Sequence, residues 1–201
     1  MEKLSKTARV LAKIMKVLRG ICIGCGIACA VMLVIGIFLP DHLYSNFVSV
    51  GDMSINLGNV ELQMSRALEP QGSLRLYACV TLVSGMVTLA LSAFGLHLLY
   101  KILTPMAESR PFDSSVSQNL RKLAWVALVG VIAASGLNFL ADMAEIALFN
   151  LSELFAPDLV TGYTVGYYLN ISQLLIPVLL FLLSYVFRYG EELQALSDET
   201  L

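Results

Sequence analysis

The chain is poor in charge. Asp, Glu, Lys and Arg make up 14% of its 201 residues, against about 25% in soluble domains. A water-facing surface needs more, which argues against a soluble globule. Histidine is scarcer still. The two histidines, His42 and His97, lie at opposite ends of the predicted elements, so they cannot share a site. There is no H-E-x-x-H, no G-x-S-x-G and no P-loop, so these catalytic and nucleotide-binding signatures are missing. A non-enzymatic protein is expected, with no cofactor and no metal. None of the four cysteines falls outside the apolar runs, which excludes an exposed disulfide framework. Cys22, Cys25 and Cys29 share roughly one helix face. That spacing suits a metal or redox pair, an acylation site or, most simply, small apolar packing residues.

Apolar residues are abundant, at 57% of the chain. They gather into four runs: Ile21 to Leu39, Leu76 to Tyr100, Leu123 to Ala141, and Thr164 to Phe187. Each is about 19 to 25 residues long, and a helix rising about 1.5 Å per residue needs about 20 to cross a bilayer core. In hydrocarbon every backbone N–H and C=O must pair within its own segment, so the runs are predicted to be helices. Spans are expected over 21–39, 76–100, 123–149 and 164–187. The connections are an outer loop over 40–75, a cytoplasmic loop over 101–122 and a tail over 188–201. The longest connection, about 36 residues, is too short for its own core. One all-α membrane domain, a four-transmembrane-helix bundle, is the predicted fold. A cleaved signal peptide is not expected, because the basic leader and the first apolar run both exceed the usual lengths.

Positive charge sorts across the spans. Lys3, Lys6, Arg9, Lys13, Lys16 and Arg19 precede the first. Lys101, Arg110, Arg121 and Lys122 fill the second loop, and Arg188 follows the fourth span. The first loop holds only Arg66 and Arg75, and the third has no Lys or Arg. The positive-inside rule therefore predicts both termini in the cytoplasm. Residues 2–19 read as an amphipathic helix, with Leu4, Ala8, Leu11, Met15 and Leu18 on one face and basic residues on the other. Such a helix suits the inner leaflet and its anionic lipid. With no aromatic residue on the basic face, direct nucleic-acid binding is not expected.

The outer loop alternates polar and apolar residues on both sides of Gly58-Asn59, which predicts an extracytoplasmic β-hairpin over 52–64. Small-residue stripes (Gly20, Gly24 and Ala28 in the first span; Ser84, Thr88, Ser92 and Gly95 in the second; Gly130 and Ala134 in the third) are read as helix-packing faces. A homodimer built on them is the alternative.

Two constellations are candidate sites. Asn138, Asp142 and Glu145 recur on one face of the third span, and Asn170, Gln173 and Pro177 on one face of the fourth. Pro177 has no N–H for the carbonyl of Gln173, leaving that acceptor open. Ionisable groups within a membrane are costly and often functional, so a ligand or ion site is one reading. Solvated carboxylates at the headgroups is the other. The second constellation is cytoplasmic: Arg110, Pro111, Phe112 and Arg121 in the loop, and Gly190, Leu193 and Gln194 in the tail. Phe112 either docks a partner or tucks under the bundle.

Two segments also carry a resemblance. Glu108-Ser109-Arg110-Pro111-Phe112-Asp113 followed by Asn119-Leu120-Arg121 resembles a "G-x-P-F … L-R" element. The chain departs from it at Ser109-Arg110, where a glycine is expected. Phe187-Arg188-Tyr189-Gly190-Glu191-Glu192-Leu193-Gln194, closing on Asp198-Glu199-Thr200-Leu201, resembles an "F-x-x-G-x-x-L-Q … D-E-T-L/V" ending. Over roughly residues 15 to 201 the chain thus resembles the bacterial membrane family catalogued as domain of unknown function 2975 (YoaS-like). The resemblance implies a multi-pass protein of the bacterial inner membrane, often encoded beside a small helix-turn-helix regulator. It implies no established activity. The reading that results is a sensor, scaffold or regulator of a cytoplasmic partner. A small transporter or immunity-type protein using Asp142 and Glu145 is the alternative.

Overall fold

The computed structural model describes residues 2–38, 54–57, 60–63, 73–108, 110, 112–149 and 171–199. Four long helices dominate it: α1 (Glu2–Phe38), α2 (Leu74–Ala107), α3 (Ser114–Phe149) and α4 (Leu175–Glu199). A 3-10 turn at Ile171–Leu174 leads into α4. Two short strands, β1 (Ser54–Leu57) and β2 (Val60–Gln63), pair antiparallel with Leu57 opposite Val60. Residues 52, 53, 58, 59 and 64 of the predicted hairpin lie outside the described residues.

All four helices are long and apolar enough to cross a membrane. They also overrun the expected spans, α4 only beyond residue 187, since residues 164–170 of its expected span lie outside the described residues. A helix of 34 residues is about 51 Å long, whereas the hydrocarbon core is about 30 Å thick. The excess is polar and lies at one end: residues 2–20 of α1, 101–107 of α2, 114–122 of α3 and 188–199 of α4. This end, where α2 connects to α3, is called the connection end below. Most of the expected loop over 101–122 is thus helical. The break is confined to the stretch between Ala107 and Ser114, where Pro111 disfavours helix at its predecessor.

Two expectations need correction. Residues 2–19 are no separate amphipathic helix but run unbroken into the first span. Their apolar residues point around the whole cylinder, with Val10 57% and Val17 63% exposed while Ala8 and Ala12 are buried. The Gly20, Gly24, Ala28 stripe is exposed, not packed. The inward side of α1 is instead Ala8, Ala12, Met15, Arg19, Cys22 and Gly26, continued by Cys29 and Ala30. Extensive contacts among the described helices follow chain order, α1 on α2, α2 on α3 and α3 on α4.

In the most apolar window of each helix, no more than 11% of the residues are buried within the protein. At the end away from the connection, Ala144, Leu148 and Pro177 are buried. The buried residues that pack into one cluster lie at the connection end. Leu98 and Ile102 of α2 meet Val116, Leu120 and Leu123 of α3, with Leu180 and Phe187 of α4 packed against them. Hydrophobic burial is driven by water, and lipid tails supply no such drive between helices. A core where the helices leave the apolar zone, and bare apolar faces within it, are what that difference produces.

Candidate functional site

Ser73 caps α2 at its far end, its hydroxyl accepting from the Leu76 N–H at 3.3 Å. The connection end is built from its own cap and bonds. Asp113 caps α3. Its Oδ1 accepts from the Ser115 hydroxyl at 2.6 Å and the Ser115 N–H at 2.9 Å. The hydroxyl first, then the N–H, hold the Asp113 carboxyl below its ordinary value. Pro105 sits inside α2, where it removes one backbone donor. One residue earlier, the Thr104 hydroxyl donates to the Tyr100 carbonyl.

α3 and α4 are pinned by two serines. The buried Ser184 hydroxyl donates to the Ser117 carbonyl at 3.0 Å. The Ser117 hydroxyl reaches the Glu191 carboxylate at 3.3 Å and the Ser114 carbonyl at 3.2 Å. Phe112 folds onto this pair, its ring 5.9 Å from that of Phe187. Gly190 makes room for it: a Cβ there would lie 2.5 Å from Phe112 Cε1.

Beside the serines opens a cavity of about 360 Å³ between α3 and α4. Arg121, Arg188, Glu191 and Glu192 supply its charges, and Gln118 and Tyr185 its neutral walls. Arg188 Nε lies 3.4 Å from Glu192. Arg121 has no ion-pair partner among the described residues. A second cavity of about 440 Å³ lies on the other flank of α3, against Tyr100, Lys101 and Thr104 of α2. A third, about 340 Å³ and apolar, separates Cys22, Gly26 and Ala30 of α1 from Met86 and Ala90 of α2. Nearby, Arg19 Nη1 donates to His97 Nδ1 at 3.0 Å, tying α1 to α2.

Of the predicted docking residues, Phe112 and Gly190 are brought into contact. Phe112 is nonetheless 43% exposed. Arg121 faces the cavity. Arg110 is exposed and pairs with Glu108 at 2.7 Å. Leu193 and Gln194 are exposed, and Pro111 lies outside the described residues. Of the predicted ligand or ion residues, Asn138, Asp142 and Gln173 are exposed, and Glu145 is half-buried. Pro177 is fully buried, and Asn170 lies outside the described residues. The three cavities described above are lined by none of them. Among the described residues, no group of three or more His, Cys, Asp or Glu is placed to hold a metal ion.

The residues missed from sequence are Ser117, Ser184, Tyr185, Arg188, Glu191 and Glu192. A signal was there. Ser117 and Arg121, and again Ser184 and Arg188, are spaced i, i+4, so each helix carries serine and arginine on one face. Comparison of the chain with protein-family models, curated proteins and solved structures finds no match.

Proposed function

We propose that this is a non-enzymatic, multi-pass protein of the bacterial inner membrane, of the resembled family. It works as a sensor, scaffold or regulator, with both termini and the connection end in the cytoplasm. The paired strands then face outward, and the connection end engages a cytoplasmic protein, the small helix-turn-helix regulator implied by the resemblance. One observation carries the reading. The elements that resemble the family, around Phe112 and around Gly190, are packed into one surface with a half-exposed aromatic ring at its centre. Arg110 and Arg121 flank that ring in sequence.

The test is co-purification of the helix-turn-helix protein encoded beside the gene. Capture with the full chain, lost on Phe112→Ala and on removing residues 190–201, is the expected result. Capture that survives both changes would refute the assignment of this surface.

A further inference from the structure

The cavity between α3 and α4 has a definite depth. Arg121 stands two residues before Leu123, where the third apolar run begins, and Arg188 directly follows Phe187, where the fourth ends. Its guanidiniums therefore lie in the plane where hydrocarbon gives way to headgroups. Below it, towards the apolar zone, Trp125 of α3 meets Phe181 of α4 edge to face, ring centroids 5.5 Å apart. Trp125 and Tyr185 are 54% and 69% exposed. Interfacial aromatics of this kind belong at the headgroup boundary.

The charges select the ligand. Arg121 is unpaired among the described residues, and its planar fork matches a phosphate. Arg188 and Glu192 form only an exposed, helical i, i+4 pair, easily shared with a third group. Glu191 is held in place by Ser117. Two guanidiniums and two carboxylates, Arg121 on α3 and the others on α4, leave the cavity with no net charge. A purely anionic headgroup would gain at Arg121 and lose at the glutamates. A choline headgroup has no N–H to donate to them. An ethanolamine headgroup has both a phosphate and a hydrogen-bonding ammonium.

We propose that this cavity holds the headgroup of an aminophospholipid, with its phosphate on Arg121 and its ammonium on Glu191 and Glu192, and its chains running past Trp125. The site rests on the membrane-spanning part of the reading above and is independent of which leaflet the connection end faces. It makes the protein sensitive to the composition of the bilayer around α3 and α4.

Trp125 is the only tryptophan, so it reports directly on the site. The full chain is reconstituted in phosphatidylcholine vesicles that contain a minor fraction of one lipid with brominated chains. Brominated phosphatidylethanolamine should quench Trp125 as if enriched about fivefold over its bulk fraction, the scale of one interfacial charge contact. Brominated phosphatidylglycerol and phosphatidylcholine should quench near their bulk fractions. Arg121→Gln should bring phosphatidylethanolamine down to parity with phosphatidylcholine, as should the Glu191→Gln, Glu192→Gln pair. Arg121→Lys should retain part of the preference and serves if the glutamine variant does not fold. Soluble phosphoethanolamine in excess should leave the quenching unchanged. Equal quenching by all three lipids, stronger quenching by phosphatidylglycerol, an unaffected Arg121→Gln, or reversal by soluble phosphoethanolamine would each overturn the site. Lipid preference retained while partner capture fails would count against the proposed function alone. Parity of lipids with capture intact would count against this site alone.

Discussion

Gly190 is where a single hydrogen decides the packing of the connection end. A methyl group there would meet the Phe112 ring at 2.5 Å. Gly190→Ala should displace the ring and destabilise the protein by about 1–2 kcal/mol, because partial exposure lets the ring give way. A double-mutant cycle with Phe112→Ala checks this: the second change should cost far less in the Gly190→Ala background. Additive losses would mean that the contact is not made. Asp113 makes a separate prediction. Its folded carboxyl is held below its ordinary value by Ser115, so its contribution is fully present above the ordinary carboxylate range. That contribution is lost as pH falls through the lower, folded value. Asp113→Ala should remove this acid sensitivity and lower α3 stability at neutral pH. Unfolding measured against pH reads both. At this scale the sequence was partly legible. Asp113 and Ser114 are both residue types suited to a helix cap, and only the bonds from Ser115 single out Asp113. Gly190 and Phe112 both belong to the motifs of the resemblance, which groups them in one constellation, but local pattern does not show that the ring sits directly on the glycine.

Among elements, length and apolarity were legible because the bilayer imposes them, while helix faces were not. A small residue suits close packing and lipid exposure equally, so Gly20 and Gly24 read as an interface although no other element comes within 4 Å of a Cβ built there. Gly24→Ile should therefore leave stability within about 0.5 kcal/mol, as for a surface change. A large loss in detergent unfolding would mean that α1 is turned the other way. The α3–α4 pin makes the opposite prediction. Ser184→Ala removes the second donor to the buried Ser117 carbonyl, which keeps the N–H of its own helix, at a cost of about 0.5–1.5 kcal/mol. On α1 and α2, His97→Leu should be worse than His97→Gln, since Arg19 needs an acceptor at that point. The separate amphipathic helix failed for a related reason. Lysines interleaved with aliphatic residues look one-sided on a helical wheel, yet Val10, Ile14 and Val17 lie exposed between them. The predicted outer ligand set rested on spacing along single helices. Spacing fixes a face but not whether that face meets another, and Asn138 and Asp142 face outward.

For the whole molecule, the governing fact is which solvent each part meets. The apolar windows are almost unburied, and the side-chain core lies where the helices carry charge. A row in chain order leaves both flanks of the array to lipid, which a water-soluble protein could not tolerate. The chain should therefore stay with membranes through alkaline carbonate and leave them only with detergent. The most direct measurement of the central claim is labelling of single cysteines by a membrane-impermeant maleimide, with the four native cysteines replaced. Asn56→Cys lies in β1 and Gln194→Cys in the polar end of α4. The account predicts that Asn56→Cys reacts in intact spheroplasts, while Gln194→Cys reacts only after lysis. Reaction of both in intact spheroplasts, or the reverse order, would contradict it.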